Sequence, residues 1–338
     1  MSMDWPYRAP WWLPGGNAQT LWAALAARAH HGPPPRFRRE RWTTPDGDFV
    51  DVDHADHAAP DGAPLLVVFH GLEGSSDSAY VQAFACWARD LGLAMAMPHF
   101  RGCSGELNRA PRAYHSGDHE EIDWMLGRMQ QGYPGRSVIA VGISLGGNAL
   151  MRWAAEHGGM AARRVKAVAS VCSPLDLAAS GHAIGRGFNR LVYTRVFLST
   201  MVPKALAKLD QFPGLFDRDA LLRARDLHAF DNIFTGPLHG FAGTDDYWHR
   251  ASAKPLLADI RIPALALNAI NDPFIPAQSL PAAAEVGPWV TLWQPPQGGH
   301  VGFVESAAPL GWPGHVVAMP AAVGGWLLQH AGTGGADG

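Results

Sequence analysis

Ser137-Val138-Ile139-Ala140-Val141-Gly142-Ile143-Ser144-Leu145-Gly146-Gly147 sets a serine between an apolar run and an amphipathic one. Residues 138–141 are four apolar positions in succession, the pattern of a buried strand. Residues 148–155 behind the glycines, NALMRWAA, read as a helix. The glycines flank a turn too tight for side chains, so the Ser144 hydroxyl is left exposed where the strand ends. Ser144 is thereby a candidate nucleophile. In a chain with 38 glycines the five-residue pattern proves little alone, and its partners must be found elsewhere.

A serine hydroxyl attacks only when a base takes its proton, and a histidine base needs a third group to fix its tautomer. With this elbow the partners follow in the order acid, then histidine, each on a loop after a late strand. Residues 262–268 read as such a strand and lead into Asn271-Asp272-Pro273-Phe274-Ile275-Pro276. Residues 289–293 read as the next and run into Gln297-Gly298-Gly299-His300-Val301-Gly302-Phe303. Taken singly, an Asp before Pro is a turn former, and His300 is one of 16 histidines. Order and placement at the carboxyl ends of successive strands select Ser144, Asp272 and His300 as a triad. An oxyanion needs two backbone N–H donors. Leu145, at the start of the helix, supplies one, and Leu72, after the strand 65–69 and the small Gly71, supplies the other.

The chain resembles the YheT-type branch of the α/β-hydrolase superfamily, related to plant and animal lipid esterases and to yeast medium-chain ethyl ester synthases. The residues that carry the likeness span nearly the whole chain. They begin with Pro10-Trp11-Trp12-Leu13-Pro14, Asn17-Ala18-Gln19-Thr20-Leu21 and His70-Gly71-Leu72-Glu73-Gly74-Ser75. Phe100-Arg101-Gly102-Cys103-Ser104-Gly105-Glu106, Tyr114-His115-Ser116-Gly117 and the elbow follow. Phe230-Asp231, Pro237-Leu238-His239-Gly240-Phe241, Asp246-Tyr247-Trp248, Asn271-Asp272-Pro273-Phe274 and Gly299-His300 complete it. The resemblance implies an α/β-hydrolase fold: a mostly parallel eight-stranded sheet, helices on both faces and a helical cap insertion. It carries over Ser144, Asp272 and His300 as the triad.

Organisation along the chain agrees. Residues 1–35 form an aromatic arm closed by Pro33-Pro34-Pro35, whose Trp11, Trp12, Leu21, Trp22 and Leu25 suit packing on the core, with a peripheral lipid contact as the alternative. Residues 38–44 and 49–53 read as a hairpin around Pro45-Asp46-Gly47, and the chain then alternates strand and helix to residue 171. The core is expected to comprise residues 36–172 and 251–331. Between them, over 173–250, alternation stops. Phe188, Leu191, Val192, Val196, Phe197, Met201 and Val202 recur at helical spacing there, followed by Ala205, Leu206 and Leu209. Such an insertion reads as a cap, and its apolar composition favours an acyl chain over a sugar or charged metabolite. The Gly-rich residues 332–338 read as a disordered tail.

Composition excludes several classes. A length of 338 residues, 47% hydrophobic residues and a net charge of −3 describe one globular domain without a basic footprint for nucleic acid. Cys86, Cys103 and Cys172 lack CxxC spacing and fit structural roles in a reducing cytoplasm. The first ten residues lack a signal-peptide pattern, and no apolar run nears the roughly 20 residues of a membrane span. Neither a phosphate-binding loop nor a dinucleotide fingerprint is present, so no cofactor is implied.

Other chemistry-bearing residues have blander readings. His115 and His119 stand four apart and could share a metal, yet Asp118 reads as the N-cap of a helix with an acidic first turn. His54 and His57, beside Asp53 and Asp56, read as a solvated loop. Arg101 reads as a loop anchor, with contact to an acyl carboxylate as the alternative. His239 and Asp246 resemble family positions that order the cap's return to the core. The expected function is hydrolysis of carboxylic esters, short- to medium-chain or lipid-derived, through an acyl-enzyme on Ser144. Acyl transfer to an alcohol by the same triad, and a non-catalytic binding or scaffold protein on this fold, are the rivals.

Overall fold

Short apolar runs alternate with amphipathic segments along the chain, and the runs pair into a single sheet. A computed structural model describes residues 5–30, 32–306 and 312–332. Its strands are β1 (Phe37–Thr43), β2 (Phe49–Ala55), β3 (Leu65–Phe69), β4 (Ala94–Pro98), β5 (Val138–Ile143), β6 (Ala167–Val171), β7 (Ala264–Leu267) and β8 (Val290–Trp293). They lie in the order β1-β2-β4-β3-β5-β6-β7-β8. The hairpin β1–β2 joins β4 antiparallel, and every pair from β4 to β8 is parallel. The expected eight-stranded, mostly parallel sheet with an antiparallel edge is what forms.

β3 shows why its sequence is uniformly apolar. Leu65, Val67 and Phe69 enter the core on one face, and Leu66 and Val68 enter the core on the other, all at 0% exposure. A strand covered on both sides needs apolar residues at both phases of its period of two. Helices α3 (His119–Gly132) and α4 (Leu145–His157) cover the first face through Ile122, Met125, Leu150 and Trp153. Helix α2 (Ala79–Asp90) and the final helix (Ala318–Ala331) cover the second through Phe84, Ala88, Val323 and Leu327.

The N-terminal arm is built on helix α1 (Gly15–Leu25). Leu13 and Ala23 pack with Ala83, Val304 and Val316, while Trp22 Nε1 donates to the Pro313 carbonyl at 2.7 Å. Trp12 and Trp22 are half-buried, whereas Trp11 and Leu25 face solvent. Helices occupy the stretch between β6 and β7. Helix α5 (Leu177–Ile184) is capped by Asp176, which accepts from the Ala179 N–H at 3.0 Å. A π-helical turn (Arg190–Thr194) then leads into the long helix Arg195–Gln211. Short helices Arg218–Arg223, Leu227–Ile233, Thr235–Leu238 and Thr244–Ala251 bring the chain back to the sheet. The three cysteines are buried and unbridged. No helix is long and apolar enough to cross a membrane among the described residues. Of the expected disordered tail, residues 333–338 lie outside the described residues, and Gly332 ends the last helix.

Candidate active site

The elbow forms where β5 meets α4. Ser144 has φ +52° and ψ −120°, a conformation that costs a non-glycine residue about 1–3 kcal/mol. Its surroundings hold it there. The Ser144 N–H donates to the Val171 carbonyl at 2.8 Å, and a Cβ on Gly142 would lie 2.4 Å from the Gly146 oxygen. No side chain fits on that side of the turn.

The three residues selected from the sequence meet. His300 Nε2 lies 3.0 Å from Ser144 Oγ, and His300 Nδ1 lies 2.9 Å from Asp272 Oδ2. Asp272 is buried, and its other oxygen accepts the Phe274 N–H at 2.8 Å. An Nδ1–H donated to the carboxylate leaves Nε2 to accept the serine proton. The Phe274 ring packs against the imidazole, centroids 4.2 Å apart.

The loop after β3 brings its backbone beside the serine. A Cβ on Gly71 would stand 3.1 Å from the Ser144 Cβ. In this loop the Gly71 N–H goes to Tyr80 Oη at 3.0 Å, and the Glu73 N–H goes to Tyr114 Oη at 3.0 Å. The N–H groups of Leu72 and Leu145 have no acceptor among the described residues. His70 holds the loop as a neutral imidazole: its Nδ1 donates to the Gly71 carbonyl at 2.7 Å, and its Nε2 accepts the Phe100 N–H at 3.0 Å. Burial pulls its pKa down to about 3.

One part of the site was not read from the sequence. Gln19 and Thr20 of α1, far from His300 in the chain, support both late loops. Gln19 Oε1 accepts from the Gly298 N–H at 2.9 Å and from Asn271 Nδ2 at 3.0 Å, while its Nε2 donates to the Leu13 carbonyl at 2.9 Å. Thr20 Oγ1 accepts the His300 N–H at 2.8 Å. The approach is close enough that a Cβ on Gly16 would overlap the Asn271 carbonyl oxygen, 1.8 Å away. The Asn17–Leu21 motif was visible only as part of a resemblance, since no spacing rule links it to a histidine. Gln19 is fully buried, so Gln19→Ala leaves three polar partners unpaired. At about 1–3 kcal/mol for each orphaned group, discounted for relaxation, it is expected to lose about 3 kcal/mol of stability. Urea unfolding checks this; a loss below about 0.5 kcal/mol would contradict it.

A cavity of about 140 Å³ opens above Ser144. Its apolar lining includes Leu177, Ile184, Phe197, Met201, Phe230 and Phe274. Not every residue of the expected apolar stripe faces it, because Phe188, Leu191 and Val196 point to solvent. Charged groups also reach it: Lys204 pairs with Glu73 at 2.8 Å, and Asp231 accepts from Trp248 Nε1 at 2.9 Å. Burial pushes the Asp231 carboxyl up to about 6. A carboxyl that holds its proton more tightly folded than unfolded loses stability as pH rises from about 4 to about 6. Asp231→Asn is therefore expected to be more stable than the parent at pH 8, by about 3 kcal/mol, and equal to it near pH 4. Thermal unfolding at both pH values decides, and destabilisation at pH 8 would sink the reading.

The remaining candidates have other partners. His115 is half-buried against His239, ring centroids 4.7 Å apart, and its Nδ1 accepts the Gly117 N–H at 3.2 Å. Asp118 does precede α3, but its carboxylate pairs with Arg112 and makes no cap bond. The solvated reading of His54 and Asp53 is wrong. Both lie in β2, inside the sheet between β1 and β4, and are buried against side chains of neighbouring elements. His54 Nδ1 meets Tyr133 Oη at 2.6 Å, and Asp53 pairs with Arg39 at 2.7 Å and His99 at 2.8 Å. Arg101 is buried among Asp46, Asp48 and Glu121, as an anchor. His239 stands between the carbonyls of Thr235 and Ala113, and Asp246 accepts the Ala242 N–H at 3.0 Å. Cys172, Asp272 and His300 form a cluster of metal-ligating types, their ligand atoms within 4.8 Å of one another. Each is already engaged, with Cys172 Sγ accepting the Val301 N–H at 3.2 Å.

A sheet of this order with a serine elbow after β5, an acid loop after β7 and a histidine loop after β8 defines a class. The chain belongs to the α/β-hydrolase fold family, whose profile matches residues 64–307. Its resemblance to the YheT type is borne out. It is 38% identical to YheT of Escherichia coli (strain K12), an esterase by name, over 80% of this chain and 82% of that one. It is 28% identical to the phospholipase ABHD3 of Homo sapiens, over 88% of this chain and 73% of that one. A Pyrococcus furiosus esterase shares the fold, with a TM-score of 0.54 at 15% identity over 88% of this chain and 94% of that one.

Proposed function

We propose that this chain is a carboxylic ester hydrolase that works through an acyl-enzyme on Ser144. The observation that carries the reading is the chain of contacts from Asp272 through His300 to Ser144, at 2.9 and 3.0 Å. His300, held by Asp272, takes the serine proton as Oγ attacks the ester carbonyl. The N–H groups of Leu72 and Leu145 receive the developing oxyanion, and the alcohol leaves with the proton from His300. Water activated by the same imidazole then releases the acid. The apolar lining supports an acyl chain or a lipid-derived ester as substrate, with residues 173–250 as the cap that encloses it.

A series of p-nitrophenyl esters from acetate to palmitate tests this. Turnover that peaks at one acyl length supports a cavity that measures the chain; folded protein inactive on every ester would contradict the reading. The same apolar lining favours acyl transfer as the second reading. Added ethanol separates the two, since transfer converts acid product into ethyl ester at unchanged p-nitrophenol release.

A further inference from the structure

The long helix that lines the cavity has a second, outward face. Residues 177–209 contain no Asp or Glu, but they hold Arg186, Arg190, Arg195, Lys204 and Lys208. The two lysines turn inward, Lys204 to Glu73 and Lys208 to the carbonyls of Asn108 and Ala110 at 2.6 and 2.8 Å. The three arginines stay exposed, and none has a carboxylate within 4.0 Å among the described residues. Beside them in the chain stand Phe188, Leu191 and Val196, which are 50%, 59% and 61% exposed. Beside them runs a groove between the helices Arg195–Gln211 and Arg218–Arg223. Leu198, Val202 and Leu221 floor it, and Arg190, Arg195 and Arg225 rim it.

We propose that this face docks on an anionic lipid bilayer, with Phe188, Leu191 and Val196 among the headgroups and Arg186, Arg190 and Arg195 on lipid phosphates. Charge complementarity selects that occupant. The whole chain carries −3 and is repelled by an anionic surface, whereas this segment presents three unbalanced guanidinium groups. Arginines interleaved with exposed large apolar side chains on one helical surface match a helix lying in the interface plane. Phe197 and Met201, on the inner face of the same helix, line the cavity, so docking sets the cavity wall against the bilayer. The proposal goes beyond the esterase reading and does not depend on it.

Cosedimentation with vesicles tests it, comparing phosphatidylcholine alone with phosphatidylcholine containing 30 mol% phosphatidylglycerol, in about 0.1 M salt. The full chain is expected to partition to the anionic vesicles and to be released as salt rises. At roughly 5-fold per arginine, the combined Arg186→Gln, Arg190→Gln, Arg195→Gln variant loses roughly 100-fold in partition. The Phe188→Ser, Leu191→Ser variant also loses binding, while Trp11→Ser, Leu25→Ser on the N-terminal arm keeps it. Turnover of a soluble ester by each variant reports that it is folded. The Ser144→Ala chain is expected to bind vesicles like the parent, so an error in the catalytic assignment leaves this result intact. Equal partition to neutral and anionic vesicles, loss only in the Trp11/Leu25 variant, or a dimer dispersed by the arginine substitutions would overturn the proposal.

Discussion

Ester turnover by the Ser144→Ala variant is expected to fall about a millionfold in kcat, the scale seen when a serine hydrolase loses its nucleophile. Among the described residues the Oγ has one hydrogen-bond partner, His300, and it does not hold the elbow together. The turn is held by the Val171 carbonyl and by the close approach of Gly142 to Gly146, which alanine leaves in place. Folding should therefore survive, and the loss belongs to chemistry. What remains is attack by water on an ester whose carbonyl still meets the Leu72 and Leu145 N–H groups, worth roughly a thousandfold or more over free solution. Steady-state kinetics with a p-nitrophenyl ester measures the loss. A decrease under 10-fold in folded protein would mean that another group attacks.

Asp272→Asn is expected to cost about 10,000-fold in kcat near pH 7, through the tautomer of His300 rather than its position. The surroundings decide which way the new amide faces. The Phe274 N–H points at one oxygen of Asp272 from 2.8 Å, so the asparagine carbonyl turns there and its NH2 turns toward His300 Nδ1. An imidazole that must accept at Nδ1 carries its proton on Nε2 and cannot take one from Ser144 3.0 Å away. Gln19 and Thr20 still hold the backbone of the two loops, so the geometry persists while the proton sits on the wrong nitrogen. Kinetics of this variant beside Ser144→Ala is the check. A loss below about 100-fold would show that His300 does not depend on this carboxylate.

Much of the site was legible because its parts obey local rules. A strand that must end in a serine turn without room for side chains needs glycine on both sides, and Gly142 and Gly146 mark it. Asp272 and His300 follow apolar runs that can only be strands of a covered sheet, which puts them at one edge. The support from α1 was not legible. Gln19 and Thr20 act across the whole length of the chain, and a glutamine in the middle of a short helix has no local signature of burial. Asp53 and His54 misled for a related reason. Alternating acid and histidine look like a wetted loop until β1, β4 and His99 enclose them, a tertiary event. The long helix posed a different problem. Apolar residues stand on both of its sides, so helical spacing could not say that Phe197 and Met201 face the cavity while Val196 faces solvent.

Labelling with a fluorophosphonate, followed by mass spectrometry of the proteolysed chain, tests the central claim most directly. One adduct per chain is expected, on the peptide that contains Ser144, with a much slower reaction after His300→Ala. An adduct on a different residue, or none in protein that is folded, would contradict it.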